Sequence, residues 1–496
     1  MRSNSPLLVI SLLVIFKLFG NNIFPSSRTY EHSKIIEIPD LSFVRTVYSG
    51  LDIIEQMDYK PLRNKSIAIL TNQSAVNRNN KHLLDLIAKY PDIKITFLLS
   101  MEHGIWSTND KRSKMIGRDG LSPLHKAQII DLFKTYLHPP SWVMNNIDLV
   151  LIDYQDTGSR YSTYTATLSK IFESASDFDV PVLILDRPNP IRGDLISGPI
   201  PRPEFQSFES YHLFPIRHGL TIGEMSLIIN EMGWVKDLKR IKLSIIPMAN
   251  WDREMWYKDT KLPIKNLTPY LKSLPSLLAY VGMDLFRGTN LNIGFGTSAP
   301  YLVVGAPWLS TTYLIEKIKE QSLPGVNFKE LEYRPKGSTY QRRTPKYDNQ
   351  KCSGIELTIT DENIFEPIRT ATSLIVLINQ LFPRQFKWEE NNYIDLLFGS
   401  NELRILSAQK KNPDNLPALW SKDVYRSVDK MSRFVLSLNT VLQVNSFLRN
   451  KGIKVINTFN CTSWKTECTA SNYFVRDDSN KRECLLDDWM ENNWTN

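Results

Sequence analysis

The most constraining feature of this chain is a set of four short apolar runs in its first half, each ending in a polar cluster. "SIAIL" (Ser66 to Leu70), "IKITFLLS" (Ile93 to Ser100), "IDLVLID" (Ile147 to Asp153) and "VPVLILD" (Val180 to Asp186) are nearly continuous in Ile, Leu and Val. Strands buried on both faces read this way, and such strands belong to parallel sheets. Between the runs, "KHLLDLIAKY" and "YTATLSKIFESA" carry apolar residues at helical spacing. The alternation predicts an α/β, Rossmann-like domain built on a parallel sheet. No GxGxxG follows the first run, so a dinucleotide is not expected.

In an open parallel sheet the carboxyl ends of the strands share one edge, and ligands bind there. The clusters that follow the runs are "TNQS" (Thr71 to Ser74), "MEHG" (Met101 to Gly104), "DYQDTGSRY" (Asp153 to Tyr161) and "LDRPNP" (Leu185 to Pro190). All four are therefore expected in one crevice. Glu102 is the candidate general acid, because its neighbours Met101, Ile105 and Trp106 are apolar and an apolar setting favours the protonated carboxyl. His103 could orient it or contact a ligand, or serve only a structural hydrogen bond, since adjacent residues leaving a strand point apart. Asp153 and Asp156 are candidates for a partner carboxylate or for capping the next helix. Asp186 could equally be a turn former.

The chain is long enough for two or three domains at roughly 100 to 200 residues each. Its character changes near Trp234, where "IKLSIIPM" and then "LFRGTNLNIGFGTSAPYLVVGAPW", dense in Gly, Asn and Thr, follow; "GIELTITD" alternates like a strand and "TATSLIVLINQLF" reads as a helix. The expected organisation is a catalytic domain over about 45–235, an auxiliary α/β domain over about 236–445 and a Cys-bearing tail over 446–496. At the start, Arg2 precedes an apolar run from Leu7 to Phe16 that Lys17 interrupts. That run, about 10 residues, suits a secretory signal peptide within residues 1–30 better than the roughly 20 residues a spanning helix needs, with an uncleaved N-terminal membrane anchor as the alternative. Entry to the secretory pathway fits disulfides among Cys352, Cys461, Cys468 and Cys484, and no spacing among them suggests zinc. Sequons stand at Asn64, Asn266, Asn460 and Asn493, and a fifth, Asn72, is expected bare inside the crevice. The net charge is a modest +8 and no basic run is interleaved with aromatics, so nucleic acid is not an expected partner.

The succession "TNQS", "MEHG", "DYQDTGSRYSTY", "LDRPNP", "GPI", "FPIRHGLTIGE", "MANWDREMWYKDTKLP", "GTNL" and "VGAPW" resembles, in order, the bacterial NamZ-like exo-β-N-acetylmuramidases. The resemblance implies a Rossmann-like catalytic domain, a smaller auxiliary domain and a cleft between them. It also implies release of N-acetylmuramic acid from the non-reducing end of cell-wall fragments, without metal or organic cofactor. It carries the family's Glu-His-Gly glutamate onto Glu102 and its Asp-x-Gln-Asp segment onto Asp153, Gln155 and Asp156. Its Arg-His-Gly segment falls on Arg217 and His218, and Asn72, Asp186, Arg187 and Asn189 also match. Thr289 and Asn290, in "GTNL", complete the expected substrate-binding set. Arg160, Arg187 and Arg217 could hold the lactyl carboxylate of muramic acid, since a guanidinium matches a carboxylate bidentately. Trp251, Trp256 and Tyr257 could stack on a sugar or pack between the domains. Family members usually carry a Glu before Gly-Thr-Asn, then Ser-Glu-Gly-Arg-Gly-Thr and Pro-Phe-Glu. This chain has Arg287, Ile293, Phe295 and Leu302 there, so either substrate choice has changed or the protein is a catalytically impaired, sugar-binding pseudoenzyme of the same fold.

Overall fold

The computed structural model describes residues 32–39, 41, 46–106, 127–337 and 344–409, with Trp420, Ser421, Val424, Met431 and Phe434 beyond them. The expected signal peptide or anchor, the 446–496 tail with Cys461, Cys468 and Cys484, and the sequons at Asn460 and Asn493 lie outside the described residues. Strands β1 (Ser33–Ile35), β2 (Lys65–Thr71), β3 (Ile93–Ser100), β4 (Gln128–Asp131), β5 (Leu149–Asp153), β6 (Val182–Leu185) and β7 (Leu243–Ile246) form one sheet in the order β1-β7-β6-β5-β2-β3-β4. Every pairing in it is parallel.

The four apolar runs are its central strands. In β2, Ile67, Ala68, Ile69 and Leu70 are all sealed from solvent. Alternate residues face opposite layers, as a period of two requires. Ala68 and Leu70 join Val150, Ile152, Val182 and Ile184 under α3 (Ser141–Met144), α4 (Thr163–Asp177) and α5 (Ile222–Glu231). Ile67 and Ile69 join Leu149, Leu151 and Leu183 under α1 (Gly50–Gln56) and α2 (Leu83–Ile87).

Two strands of this sheet lie outside the 45–235 span expected for the catalytic domain. The run "IKLSIIPM" supplies β7, which pairs with β6 on one side and β1 on the other. The change of character near Trp234 thus marks the end of α5, whose capping box joins Thr221 to Glu224, and not the end of the domain. Past β7 the chain builds α6 (Leu274–Met283), β8 (Val303–Ala306), α7 (Thr311–Glu320), β9 (Val326–Tyr333), β10 (Cys352–Ile359), α8 (Pro367–Leu381), α9 (Tyr393–Phe398) and α10 (Glu402–Ala408). Its three strands form an antiparallel sheet, β8-β10-β9. Helix α6 meets the start of α8 at Gly282, where a β-carbon would stand 1.9 Å from the Pro367 carbonyl oxygen. Cys352 is a free, buried thiol, so any disulfide would have to come from the three cysteines outside the described residues. Among the described residues no helix is long and apolar enough to cross a membrane.

Candidate active site

The strand order turns at β2 and β5. From β2 the chain winds outward through β3 and β4, and from β5 it winds the other way through β6 and β7. Crevices at such a reversal are where open α/β sheets bind ligands. Thr71 pairs with Asp153, the last residues of β2 and β5, so Asn72–Ser74 and Tyr154–Asp156 leave the sheet side by side. They are stitched together: Gln155 N donates to Ser74 Oγ at 2.9 Å, and Ser74 N donates to Asn72 Oδ1 at 3.0 Å. His82 fixes the turn from behind. Its Nδ1 accepts from Leu84 N, so its Nε2 carries the proton and donates to the Asn72 carbonyl at 2.8 Å. Asn72 is buried, which agrees with a sequon that bears no glycan, whereas Asn64 and Asn266 are exposed.

Next to β2, β3 delivers "MEHG". Gly104 closes the turn by donating its N–H to the Met101 carbonyl at 2.9 Å with φ of +73°, a conformation that favours glycine. Met101, Ile105 and Trp106 are buried, while Glu102 and His103 are half-buried between them. Glu102 Oε2 accepts from the hydroxyl of Thr163, the first residue of α4, at 2.9 Å. His103 sits edge-on to Tyr270, with ring centroids 6.4 Å apart.

The other expected residues separate into two groups. Asp156 belongs to the crevice: its Oδ2 accepts from Gly158 N at 2.7 Å, and its Oδ1 has no hydrogen-bond partner among the described residues. His218 Nδ1 accepts from Leu220 N, which leaves the Nε2 end 3.3 Å from Asp156 Oδ2.

Asp153 and Arg187, in contrast, form a buried pair, Nε to Oδ1 at 2.5 Å and Nη2 to Oδ2 at 3.0 Å. Arg187 Nη1 also donates to the Val76 carbonyl at 3.1 Å. Burial works against the Arg187 charge, and Asp153 more than offsets it, so the guanidinium is held above its usual range. Asp186 accepts from Gly223 N at 2.8 Å and from Thr221 Oγ1 at 3.0 Å, which makes it a brace for the start of α5. Burial, and then Glu224, push it up to about 7. Asn189 donates to the Leu220 carbonyl at 2.9 Å and accepts from Ile191 N at 3.1 Å.

The arginines expected to meet an anion are engaged inside the protein. Arg160 donates to four carbonyls, those of Pro199, Phe214, Leu397 and Phe398. Arg217 donates to the Ile191 carbonyl and lies over the Trp256 ring. Burial alone leads in lowering both, Arg160 to about 10 and Arg217 to about 9. Thr289 caps its own turn by donating to the Phe286 carbonyl at 2.8 Å, whereas Asn290 ties its loop to a distant segment, donating to the Gln385 carbonyl at 2.9 Å and accepting from Lys387 N at 2.9 Å. The two arginines hold the crevice in shape, because each ends on buried backbone acceptors that would otherwise be unmatched.

Against this geometry, the model of the N-terminal domain of the exo-β-N-acetylmuramidase NamZ matches residues 67–275, and the model of its C-terminal domain matches 278–436. The chain belongs to the NamZ family. It is 30% identical over 393 residues, 79% of this chain and 91% of the other, to the peptidoglycan β-N-acetylmuramidase NamZ of Bacillus subtilis (strain 168). The fold recurs in two crystal structures of DUF1343 family proteins from Bacteroides fragilis. One has a TM-score of 0.71 at 23% identity, covering 79% of this chain and 99% of that one. The other has a TM-score of 0.64 at 26% identity, covering 79% and 98%.

In this NamZ-family crevice, residues that sequence reasoning did not single out form most of a wall. A cavity open to solvent is lined by Ser74, Gln155 and Pro190, by Tyr257, and by residues of the segment from Pro263 to Leu277. That segment is fastened to the sheet edge: Gln73 Nε2 donates to the Asn266 and Leu267 carbonyls at 2.8 and 3.0 Å. Its signal was present in "LPIKNLTPYLKSLPSLL", where leucines recur at helical spacing but three prolines forbid one helix. All three expected stacking aromatics are buried, and of the three it is Tyr257 that lines the cavity.

The altered wall divides as well. Phe295 stacks on Tyr270 at 4.4 Å, which carries it toward His103, and Tyr301 meets it edge-on at 5.3 Å. Ile293 is buried. Arg287 pairs with Asp284 at 2.9 Å and Glu209 at 2.6 Å and also bonds the Tyr393 hydroxyl.

Proposed function

We propose that this NamZ-family protein is an exo-acting glycoside hydrolase. It removes N-acetylmuramic acid, or a related amino sugar, from the non-reducing end of peptidoglycan fragments, with Glu102 as general acid and no cofactor. The protein reaches this carbohydrate by the secretory pathway. The observation that carries the proposal is the placement of Glu102: half-buried beside the switch-point crevice, oriented by the Thr163 hydroxyl, on a loop whose apolar side chains Met101, Ile105 and Trp106 are buried. A glycosidic oxygen needs a proton as its bond breaks, and a fixed carboxyl with access to the cleft supplies it.

Asp156 is the partner carboxylate, since its unmatched Oδ1 has a lone pair for a water or a sugar. Asp153 has a structural task, fully taken up by Arg187. With the three arginines engaged, the cations on the described cavity wall are Lys265 and Lys272, and these meet the acidic substituent of the sugar.

The test compares wild type and Glu102→Gln on two β-N-acetylmuraminides, one with an N-acetylglucosamine leaving group and one with an activated nitrophenol. Glutamine keeps the Thr163 bond and removes only the proton. A general acid contributes about 100- to 10,000-fold, so hydrolysis of the sugar-linked substrate falls by that range and of the nitrophenyl substrate by much less. Equal losses on both would show that Glu102 is not the proton donor. Wild-type protein that binds the disaccharide without turning it over would establish instead the impaired, sugar-binding protein that the altered wall suggests.

A further inference from the structure

The cavity under the 263–277 segment has an unusual chemistry for its place. Leu267, Leu271, Leu274 and Leu277 make its sides apolar, yet its floor carries a buried amide. Gln155 is 2% exposed, and its Nε2 donates to two carbonyls, Pro188 at 2.7 Å and Asp156 at 3.1 Å. Those two acceptors fix which way the amide faces, because only nitrogen can donate to both. Its Oε1 is then left with no hydrogen-bond partner among the described residues. Buried acceptors are rarely left unmatched, and one in a cavity wall implies a donor that comes with the occupant.

A group that suits an apolar slot with a single acceptor has one N–H and a small alkyl end. A sugar hydroxyl fits less well, since leucines offer nothing to its lone pairs. We propose that this cavity is a subsite for a small secondary amide, whose N–H donates to Gln155 Oε1 while its alkyl end lies against Leu267, Leu271 and Leu274. The amide carbonyl faces Lys265 and Lys272, which also line the cavity. The assignment rests on the glycosidase reading for its choice of substrate. Two parts of a muramic acid substrate have this chemistry: the 2-acetamido group, and the amide that joins the lactyl arm to the first residue of a stem peptide. Ser74 and Gln155 place the subsite at the ends of β2 and β5, one strand away from the β3 loop that bears Glu102. The subsite therefore selects the sugar while another part of the crevice cleaves it.

The experiment uses the full chain with the methyl β-glycosides of N-acetylmuramic acid and of its de-N-acetylated amine, and with N-acetylmuramoyl-L-alanine. Binding is read by saturation-transfer NMR and by inhibition of nitrophenyl β-N-acetylmuraminide hydrolysis. Gln155→Met keeps the length and removes the acceptor. Leu274→Trp fills the slot from its half-buried rim, and thermal unfolding checks that both variants fold.

If the 2-acetamido group is the occupant, removing it weakens binding to wild type through the lost hydrogen bond and the lost apolar contact together, and the loss in Gln155→Met is smaller by about 3- to 10-fold, the share of one buried neutral hydrogen bond. If the lactyl amide is the occupant, N-acetylmuramoyl-L-alanine binds better than N-acetylmuramic acid to wild type, and Gln155→Met narrows that preference by about 3- to 10-fold. In either case Leu274→Trp raises KM and leaves kcat unchanged. Normal hydrolysis by wild type, with neither amide read by Gln155 and no response to Leu274→Trp, would overturn the subsite and leave the glycosidase standing. Amide-dependent binding through Gln155 in a protein that hydrolyses nothing would do the reverse.

Discussion

Arg187→Met tests whether the residues beneath the crevice are scaffold or contact substrate. In the wild type the Asp153 carboxylate is 0% exposed and the guanidinium 2% exposed, so neither charge is relieved by water. Removing Arg187 leaves Asp153 buried with no counter-charge and leaves the Val76 carbonyl without that donor. Breaking a buried pair from one side costs about 3 to 5 kcal/mol. For a lobe of this size that lowers the melting temperature by roughly 6 to 20 °C. The double variant Asp153→Leu, Arg187→Met replaces both charges with apolar groups of similar bulk, and such replacements are often close to neutral. Urea unfolding followed by tryptophan fluorescence, alongside hydrolysis of nitrophenyl β-N-acetylmuraminide at 20 °C, measures both effects. Arg187→Met is expected to lose most of its stability margin, and the double variant is expected to regain most of it together with part of the activity. An Arg187→Met protein as stable as wild type but inactive would refute the assignment, because Arg187 would then be acting on the substrate.

His212 is buried against Trp234, with its ring stacked at 5.4 Å, and burial followed by Lys170 pushes it down to about 3. The unfolded chain binds the extra proton first, so its share of stability is complete above about pH 6.5 and is lost as pH falls toward 3; urea titrations at pH 7 and pH 4.5 span the upper part of that window and should show a loss of roughly 3 kcal/mol, and His212→Phe should flatten that difference. Asp186 has the opposite sign. Its raised value means the folded state holds a proton that the unfolded state releases, so stability declines as pH rises from about 4 to 7, and Asp186→Asn should be more stable than wild type at pH 8 in the same titration. Arg287→Glu would set a third carboxylate against Asp284 and Glu209 and should yield insoluble or strongly destabilised protein, whereas Phe295→Arg, at a half-buried site, should remain folded by circular dichroism.

The central strands were legible because nothing competes with a buried apolar run: "IKITFLLS" is β3 residue for residue. The helix read in "TATSLIVLINQLF" begins three residues earlier than the pattern suggests, at Pro367, since a proline is tolerated in the first turn of a helix. Convergence of the four polar clusters was legible too, as a consequence of parallel topology. The role of each side chain within them was not. Arg160 looks like a cleft cation in "GSRY", but its acceptors at Leu397 and Phe398 are more than two hundred residues away in the chain. Arg187 and Asp153 are likewise joined only by the fold. The cavity wall from Pro263 to Leu277 escaped notice for a different reason: its leucines recur at helical spacing, but Pro263, Pro269 and Pro275 break that pattern into pieces, so it did not read as one element.

The central claim concerns one bond in one position, and product analysis reads it directly. The purified protein is incubated with two glycan chains of equal length, one ending at its non-reducing end in N-acetylmuramic acid and the other in N-acetylglucosamine, and the products are identified by mass spectrometry. Release of free N-acetylmuramic acid from the first chain only, abolished in Glu102→Gln, is the predicted result. Cleavage within both chains, or release that persists in Glu102→Gln, would contradict it.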